Sequence, residues 1–263
     1  MTLLDLKRKF LGFVFQPACC FCDCTTGAAE NKHLNAGSAG QSGQSGDDIC
    51  VCDNCYSDVV GSTLDRCYFC GTETNPYNPF GSRCRDCRHL NAKFERAISI
   101  GTYQGKLKRT ILDVKRDSDD VKAYQLGAFL GSMSNKFDLP ENIDCVVPIP
   151  SHWRRRMSRR GFHITDVIAD GFSKSTGIRK NGKLLKCSRF IKKQAKMRPA
   201  QRIKNVRGAF VVPRQNDVLN RRILLLDDVM TSGATVTECS KVLMRNGAES
   251  VFVAVAARAI GIS

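Results

Sequence analysis

From residue 93 onward the hydrophobic positions switch repeatedly between two periods. Ala97-Ile-Ser-Ile-Gly-Thr-Tyr103 alternates with period two, as a strand does, and Leu107, Ile111, Leu112 and Lys115 follow on a helical period. Val121 to Lys136 reads as a second helix. Ile143 to Ile149 is a short β-rich run ended by prolines, a buried strand. His163 to Thr176 is helical, with Ile164, Val167, Ile168 and Phe172 on one face and Gly177 as its stop. Arg222-Ile-Leu-Leu-Leu-Asp227 is the clearest buried strand. A helix from Gly233 to Asn246, ended by Gly247, separates it from the strand Ser250 to Ala256. Continuous apolar strands joined through a helix predict an α/β domain with a mostly parallel sheet covered on both faces.

Before Ala92 the pattern is different. Apolar runs are short, turn residues are frequent, and Gly37 to Asp48 is too rich in Gly, Ser and polar residues to pack, which reads as a flexible insertion. Thr2 to Gln16 reads as an amphipathic helix. Its apolar run is short and no small-residue cleavage site follows, so it is not read as a secretion signal. No stretch is apolar for long enough to cross a bilayer, and a cytoplasmic protein is expected. The chain therefore divides into residues 1–92 and 93–263.

The cysteines sharpen that division. Of 14, 11 precede residue 90: Cys19, Cys20, Cys22, Cys24, Cys50, Cys52, Cys55, Cys67, Cys70, Cys84 and Cys87. Four Cys-x-x-Cys pairs can be drawn, 19/22, 52/55, 67/70 and 84/87. Each can present two thiolates on one tight turn, and two such knuckles make a tetrahedral Zn²⁺ site. Sequential pairing gives one site from Cys19, Cys22, Cys52 and Cys55 and another from Cys67, Cys70, Cys84 and Cys87. Interleaved pairing is open, and Cys20, Cys24 and Cys50 are rival ligands. Four thiolates leave no open position, so two structural zinc ions in a double ribbon are expected. Cys145, Cys187 and Cys239 stand singly and read as packing residues.

Charge is as unequal as the cysteines. Residues 1–92 hold 8 Lys and Arg against 10 Asp and Glu, and residues 152–207 hold 18 basic residues against 2 acidic ones. A solvated face normally mixes signs, so this segment calls for an anionic partner, a phosphate ligand or a nucleic acid.

One junction carries most of the chemistry. Leu224-Leu-Leu-Asp227-Asp228-Val-Met-Thr231-Ser232-Gly233-Ala234-Thr235 runs from a buried strand through two acids, then hydroxyls and a glycine, into a helix. Ligands of parallel sheets gather at the carboxyl ends of strands, and a helix start offers unpaired N–H groups to an anion. Thr231, Ser232, Gly233, Ala234 and Thr235 would cradle a terminal phosphate. Asp227 and Asp228 would accept from vicinal ribose hydroxyls or organise a hydrated Mg²⁺. Helix capping by Thr231 or Ser232 accounts for one hydroxyl and for nothing else in the pattern.

This segment resembles the PRPP-binding signature of type I phosphoribosyltransferases: apolar strand, two acids, two apolar residues, Thr, Thr or Ser, Gly, any residue, Thr. From about Phe15 to the C-terminus the chain resembles the ComF family, which joins a double zinc ribbon to such a domain. Val147-Pro-Ile-Pro-Ser-His152, Arg160-Gly-Phe162, and Gln194 to Phe210 carry the likeness along with the acid-loop motif. The resemblance implies a type I phosphoribosyltransferase fold over 93–263, PRPP and Mg²⁺ as ligands, and a link to DNA uptake and its proteins in competence. It also makes Val146 to His152 the pyrophosphate loop, with Ser151 as a contact and Arg154, Arg155, Arg156, Arg159 and Arg160 nearby. Where ComF-type proteins follow Arg-Gly-Phe with Asn-Gln, this chain has His163-Ile164, so no polar role is carried over there.

In related enzymes the stretch from about Lys186 to Arg207 holds a flap that closes over the sugar. Arg160, Lys192, Lys193 and Arg198 are then the candidates for stabilising the leaving pyrophosphate, with Arg202 beside them. The same charges would equally follow a single-stranded DNA backbone, for which Phe190, Trp153 and Phe162 are the few stacking partners. Two functions follow: a phosphoribosyltransferase releasing pyrophosphate, or a single-stranded DNA-binding competence factor that uses PRPP as a regulator. A zinc-ribbon scaffold for protein partners ranks below both, since it leaves the 231–235 loop unexplained. The acceptor is open.

Overall fold

The computed structural model describes residues 18–25, 49–61, 66–74, 83–88, 90–151, 163–192 and 197–260. The N-terminal helix and the 37–48 insertion expected from the sequence lie outside these residues. Six strands are present among them: β1 (Arg96–Thr102), β2 (Cys145–Pro148), β3 (Lys186–Cys187), β4 (Phe210–Val211), β5 (Arg222–Met230) and β6 (Ser250–Arg258). Four make one sheet in the order β1-β6-β5-β2, every pair parallel, while β3 and β4 form a separate antiparallel ribbon.

The helices are α1 (Asp53–Val60), α2 (Gly105–Asp117), α3 (Asp120–Ser132), α4 (Ile164–Thr176), α5 (Pro199–Val206) and α6 (Ala234–Arg245). They cover both sheet faces. Leu224 and Leu226 of β5 bury against Leu107 and Ile111 of α2, Leu126 and Phe129 of α3, and Ile168 and Phe172 of α4. Ile223 and Leu225 point the other way, to Val236, Cys239 and Leu243 of α6. A central strand buried on both faces must be apolar at every position, which is why the run from Ile223 to Leu226 shows no alternation. The α/β architecture with a parallel sheet is thus as the periodicity predicts.

Several boundaries differ from those the periodicity predicts. The expected helix from Val121 to Lys136 stops at Ser132, and a 3₁₀ turn, Ser134–Phe137, follows. β5 runs past Asp227 to Met230 and β6 past Ala256 to Arg258, because the two pair along their whole length, from Arg222 opposite Ser250 to Met230 opposite Arg258. The last helix starts at Ala234, one residue after Gly233.

The cysteine-rich segments dock on this core. Phe21, Val51, Val59 and Val60 share an apolar cluster with Ile98, Ile100 and Phe129. The Phe69 carbonyl accepts from Ala97 N at 2.8 Å, and the Arg66 guanidinium donates to the carbonyls of Val60, Ser99 and Ile100. Apolar packing therefore continues across residue 92. Among the described residues no helix is long and apolar enough to cross a membrane.

Helices α3 and α4 cross at unusually short range. A Cβ on Gly127 would lie 1.9 Å from the Ile168 carbonyl oxygen, and one on Gly171 would lie 2.0 Å from that of Tyr124. Backbone atoms cannot yield as side-chain ends do, so a single methyl group must push the helices apart. Gly127→Ala is expected to lower stability by about 2 kcal/mol, measured as a lower urea midpoint at unchanged m-value; an unchanged midpoint contradicts the close crossing.

Candidate functional site

The loop after β5 is shaped by the end of the β5–β6 ladder. Asp227 and Asp228 are both part of β5, so as successive strand residues they point to opposite faces. Asp227 shares the α6 side with Leu225, and Asp228 shares the α2 side with Leu226. Each carboxylate accepts from the next backbone N–H: Asp228 N donates to Asp227 Oδ1 at 2.9 Å, and Val229 N to Asp228 Oδ1 at 2.6 Å. The Asp228 carboxylate also pairs with Lys115 Nζ of α2 at 2.7 Å.

These neighbours move the titration of Asp227 and of Lys115. Burial, and then the charge of Asp228, push the Asp227 carboxyl up to about 8, against the opposing pull of the Asp228 backbone N–H and of Lys115. Burial acts to lower the Lys115 ammonium, but Asp228, with Asp227 behind it, carries it above the ordinary lysine value. The sequence marks Lys115 only as a helix-face residue. Its salt bridge to the acid pair is a tertiary contact with no local signal.

Past Met230 the chain turns through Thr231 and Ser232 to Gly233, whose φ of 72° lies in the left-handed region. Glycine reaches this without strain, and a Cβ here would also meet Leu90 Cδ1 at 3.0 Å and Met230 Cε at 3.2 Å. Gly233 is itself the N-cap of α6, and no side chain caps the helix. Capping therefore uses neither Thr231 nor Ser232. Ser232 is 8% exposed, and its Oγ is buried without a hydrogen-bond partner.

A second orphan hydroxyl belongs to the neighbouring strand. β2 pairs with β5 from Cys145 opposite Ile223 to Pro148 opposite Leu226, and Ile149 N continues the pairing by donating to the Leu226 carbonyl at 2.8 Å. Ser151 follows, its Oγ buried and without a partner. Two strand-end loops, on adjacent parallel strands, thus each present a desolvated hydroxyl whose hydrogen bonding is unfinished. The hydroxyls of Ser173, Thr237 and Ser250 are also buried without a partner, but Ser151 and Ser232 are the ones that stand at the carboxyl ends of strands.

Arg160 and Lys193, with Arg154, Arg155, Arg156, Arg159, Trp153 and Phe162, lie outside the described residues. Of the remaining basic candidates, Lys192 and Arg198 are exposed. Arg198 N donates to Gln201 Oε1 at 3.0 Å and opens α5, while the backbone of Lys192 is held by the Asn205 side chain through both its N–H and its carbonyl. Arg202 is 6% exposed and donates from Nε to the Met197 carbonyl, while its Nη1 is buried without a partner.

The cysteines assemble by sequential pairing. Cys19, Cys22, Cys52 and Cys55 form one group and Cys67, Cys70, Cys84 and Cys87 another, with the sulfurs of each group within 4.8 Å of one another. Sulfurs around a tetrahedral zinc at about 2.3 Å stand about 3.8 Å apart. The observed separations include 3.8 Å for Cys22 to Cys52, 3.7 Å for Cys67 to Cys87, and 3.5 Å for Cys70 to Cys84. Both groups could hold zinc. The second is buried throughout, and Arg83 lies over the Phe69 ring, which stacks on Phe94. Cys145 and Cys239 are buried in the core, as packing residues are.

Two outcomes follow. Purified chain should carry two zinc ions by elemental analysis, and Cys84→Ser about one; an unchanged content of two contradicts the grouping. A carboxyl titrating near 8 in the folded chain and near 3.9 when unfolded holds a proton that unfolding releases. Its contribution to stability is complete below the unfolded value and is lost as pH rises through about 8. Urea-measured stability should therefore decline from pH 6 to 8 and level off above, and Asp227→Asn should abolish that slope. An identical slope in the variant would refute the assignment.

No family model matches the chain. Curated relatives do. Competence protein F of Haemophilus influenzae is 26% identical over 216 residues, 80% of this chain and 90% of its own length. The DNA utilization protein YhgH of Escherichia coli K12 is 27% identical over 65% of this chain and 75% of its own, and Competence protein ComFC of Bacillus subtilis is 25% identical over 75% and 79%. Among solved structures, the glutamine phosphoribosylpyrophosphate amidotransferase of B. subtilis aligns at 22% identity with a TM-score of 0.35, over 51% of this chain and 25% of its own. An allosteric regulatory enzyme of purine biosynthesis aligns over the same shares with a TM-score of 0.34. The chain is thus similar to Competence protein F, YhgH and ComFC over about two thirds or more of its length.

Proposed function

We propose that the chain binds PRPP and transfers its phosphoribosyl group with release of pyrophosphate. The observation that carries this reading is the pair of buried, partnerless hydroxyls, Ser151 Oγ and Ser232 Oγ, at the carboxyl ends of the adjacent strands β2 and β5. In this reading the 5-phosphate of PRPP completes the hydrogen bonding of Ser232 and of the loop amides through Thr235, at the positive end of α6. The diphosphate does the same for Ser151.

The sugar then lies between the two loops, beside the acid pair. Ribose hydroxyls donate to Asp228, whose carboxylate pairs with Lys115; proton-bearing Asp227 carries no charge of its own beside it. The carboxylate oxygens fit a hard cation, and Mg²⁺ bound with the diphosphate supplies charge neutralisation to the leaving group. The exposed cations Lys192 and Arg198, with Lys193 and Arg160, meet pyrophosphate oxygens as charge develops on them. Holding C1 between fixed anion sites accounts for much of the expected acceleration, since positioning removes the entropy of encounter. The tetrahedral thiolate groups stay outside this chemistry as braces, and the site fits a chain working in the cytoplasm.

A second reading rests on the exposure of Lys183, Lys186, Lys192, Arg198, Lys204 and Arg207 along one segment. There the chain holds single-stranded DNA by its phosphates, with competence DNA-uptake proteins as its partners and PRPP as a regulator.

Calorimetry with Mg²⁺ and PRPP separates the readings. The native chain should bind, and the Asp227→Ala, Asp228→Ala double variant should bind at least about tenfold more weakly, a difference of about 1.4 kcal/mol. Pyrophosphate release on addition of amine or base acceptors marks turnover. Absence of PRPP binding, together with salt-dependent binding of a single strand, would replace the first reading with the DNA one.

A further inference from the structure

Arg258 closes β6 and is 2% exposed. Its Nη1 donates to the carbonyls of Met230 at 3.0 Å, of Ala259 at 2.6 Å, and of Thr231. Among the described residues no carboxylate pairs with it, and its Nε is buried without a partner. A guanidinium removed from water and held only by neutral carbonyls keeps its charge uncancelled. That charge stands directly behind the loop that begins at Thr231.

The carbonyl contacts fix more than the position of the charge. In a planar trans peptide the C=O and the following N–H point in opposite directions, and no peptide bond here is cis. The Met230 carbonyl, which also accepts from Ala259 N at 2.9 Å, lies toward Arg258, and this turns the Thr231 N–H away from the guanidinium. Drawing in the Thr231 carbonyl does the same to the Ser232 N–H. Two consecutive amides thus face the side away from Arg258, followed by the partnerless Ser232 Oγ and by Gly233 at φ 72°. Consecutive amide donors leading into a left-handed residue form a concave nest for an anion.

We propose that Arg258 is a positioning residue of the phosphate cradle: it aims the Thr231 and Ser232 amides at the terminal phosphate of a phosphorylated pentose and backs them with buried positive charge. The inference rests on the PRPP reading of this loop and adds the device that orients it. Sequence places Arg258 at the far end of another strand, 27 residues from Thr231, where it looks like one more basic residue of a basic domain. Only the β5–β6 register brings it under the loop.

The test uses full-length chain with zinc bound. Mg²⁺ and PRPP are titrated into the native protein, Arg258→Lys and Arg258→Met, with zinc content and thermal midpoint recorded for each. Arg258→Met should bind about tenfold or more weakly while retaining its zinc. Arg258→Lys should fall between, since an ammonium keeps the charge but its shorter stem does not carry it to the place Nη1 holds among the three carbonyls. In the native protein the ¹⁵N–¹H resonances of Thr231 and Ser232 should shift downfield on saturation with ribose 5-phosphate. The same two shifts should be smaller in Arg258→Lys at saturating ligand, a difference that a merely structural arginine would not produce. Native binding with equal affinity in both variants overturns the role of Arg258 alone, whereas native binding that leaves those two amides unmoved overturns the cradle with it. A native chain that binds neither ligand overturns the site reading beneath it.

Discussion

The parallel pairing of β5 with β6 is the constraint from which the site's geometry follows. Both strands are buried on both faces through their middles, so a one-residue slip would exchange the sides of every β5 residue. Leu224 and Leu226 would leave the α2 layer, and Asp228 would turn away from Lys115. In the observed register Met230 stands opposite Arg258. The loop therefore starts over a buried cation, and β2, paired on the other side of β5, brings Ser151 to the same end of the sheet.

The cysteine groups have a part in this arrangement that their distance in sequence conceals. Leu90, three residues beyond Cys87, packs where a Gly233 side chain would have to go. Cys67, Cys70, Cys84 and Cys87 belong to the same apolar cluster as Met230 and Ala234, which flank the loop. A thiolate cage closed around a metal would hold Leu90 in place and thereby one wall of the loop. Residues that read as a separate ribbon thus brace the end of the sheet.

Much of this was legible in the sequence, for identifiable reasons. Strands and helices of the sheet domain announce themselves by period, because each buries a continuous face; α4 begins and ends where His163 and Gly177 suggest. The sequential grouping of the cysteines was legible from short knuckle spacing, although Cys20, Cys24 and Cys50 left it undecided. The acid pair and the 231–235 loop were legible as a strand-loop-helix junction. What escaped depends on contacts between distant segments. The lengths of β5 and β6 are set by mutual pairing, beyond the point where either run stops looking apolar. Arg202 and Arg258 count as basic residues in any composition, yet one is folded inward on Met197 and the other lies behind Thr231. Lys115 is fixed by a carboxylate from a strand over 100 residues away. No local pattern marks an arginine as buried, since burial there depends on backbone carbonyls supplied from elsewhere.

The most direct test of the account is a crystal structure of the full chain with Mg²⁺ and PRPP. The 5-phosphate is expected within hydrogen-bonding distance of the Thr231 and Ser232 amides and Ser232 Oγ, with the diphosphate at Ser151 and the ribose beside Asp228. Ligand density elsewhere, with both serine hydroxyls still unpartnered at saturating ligand, would contradict it.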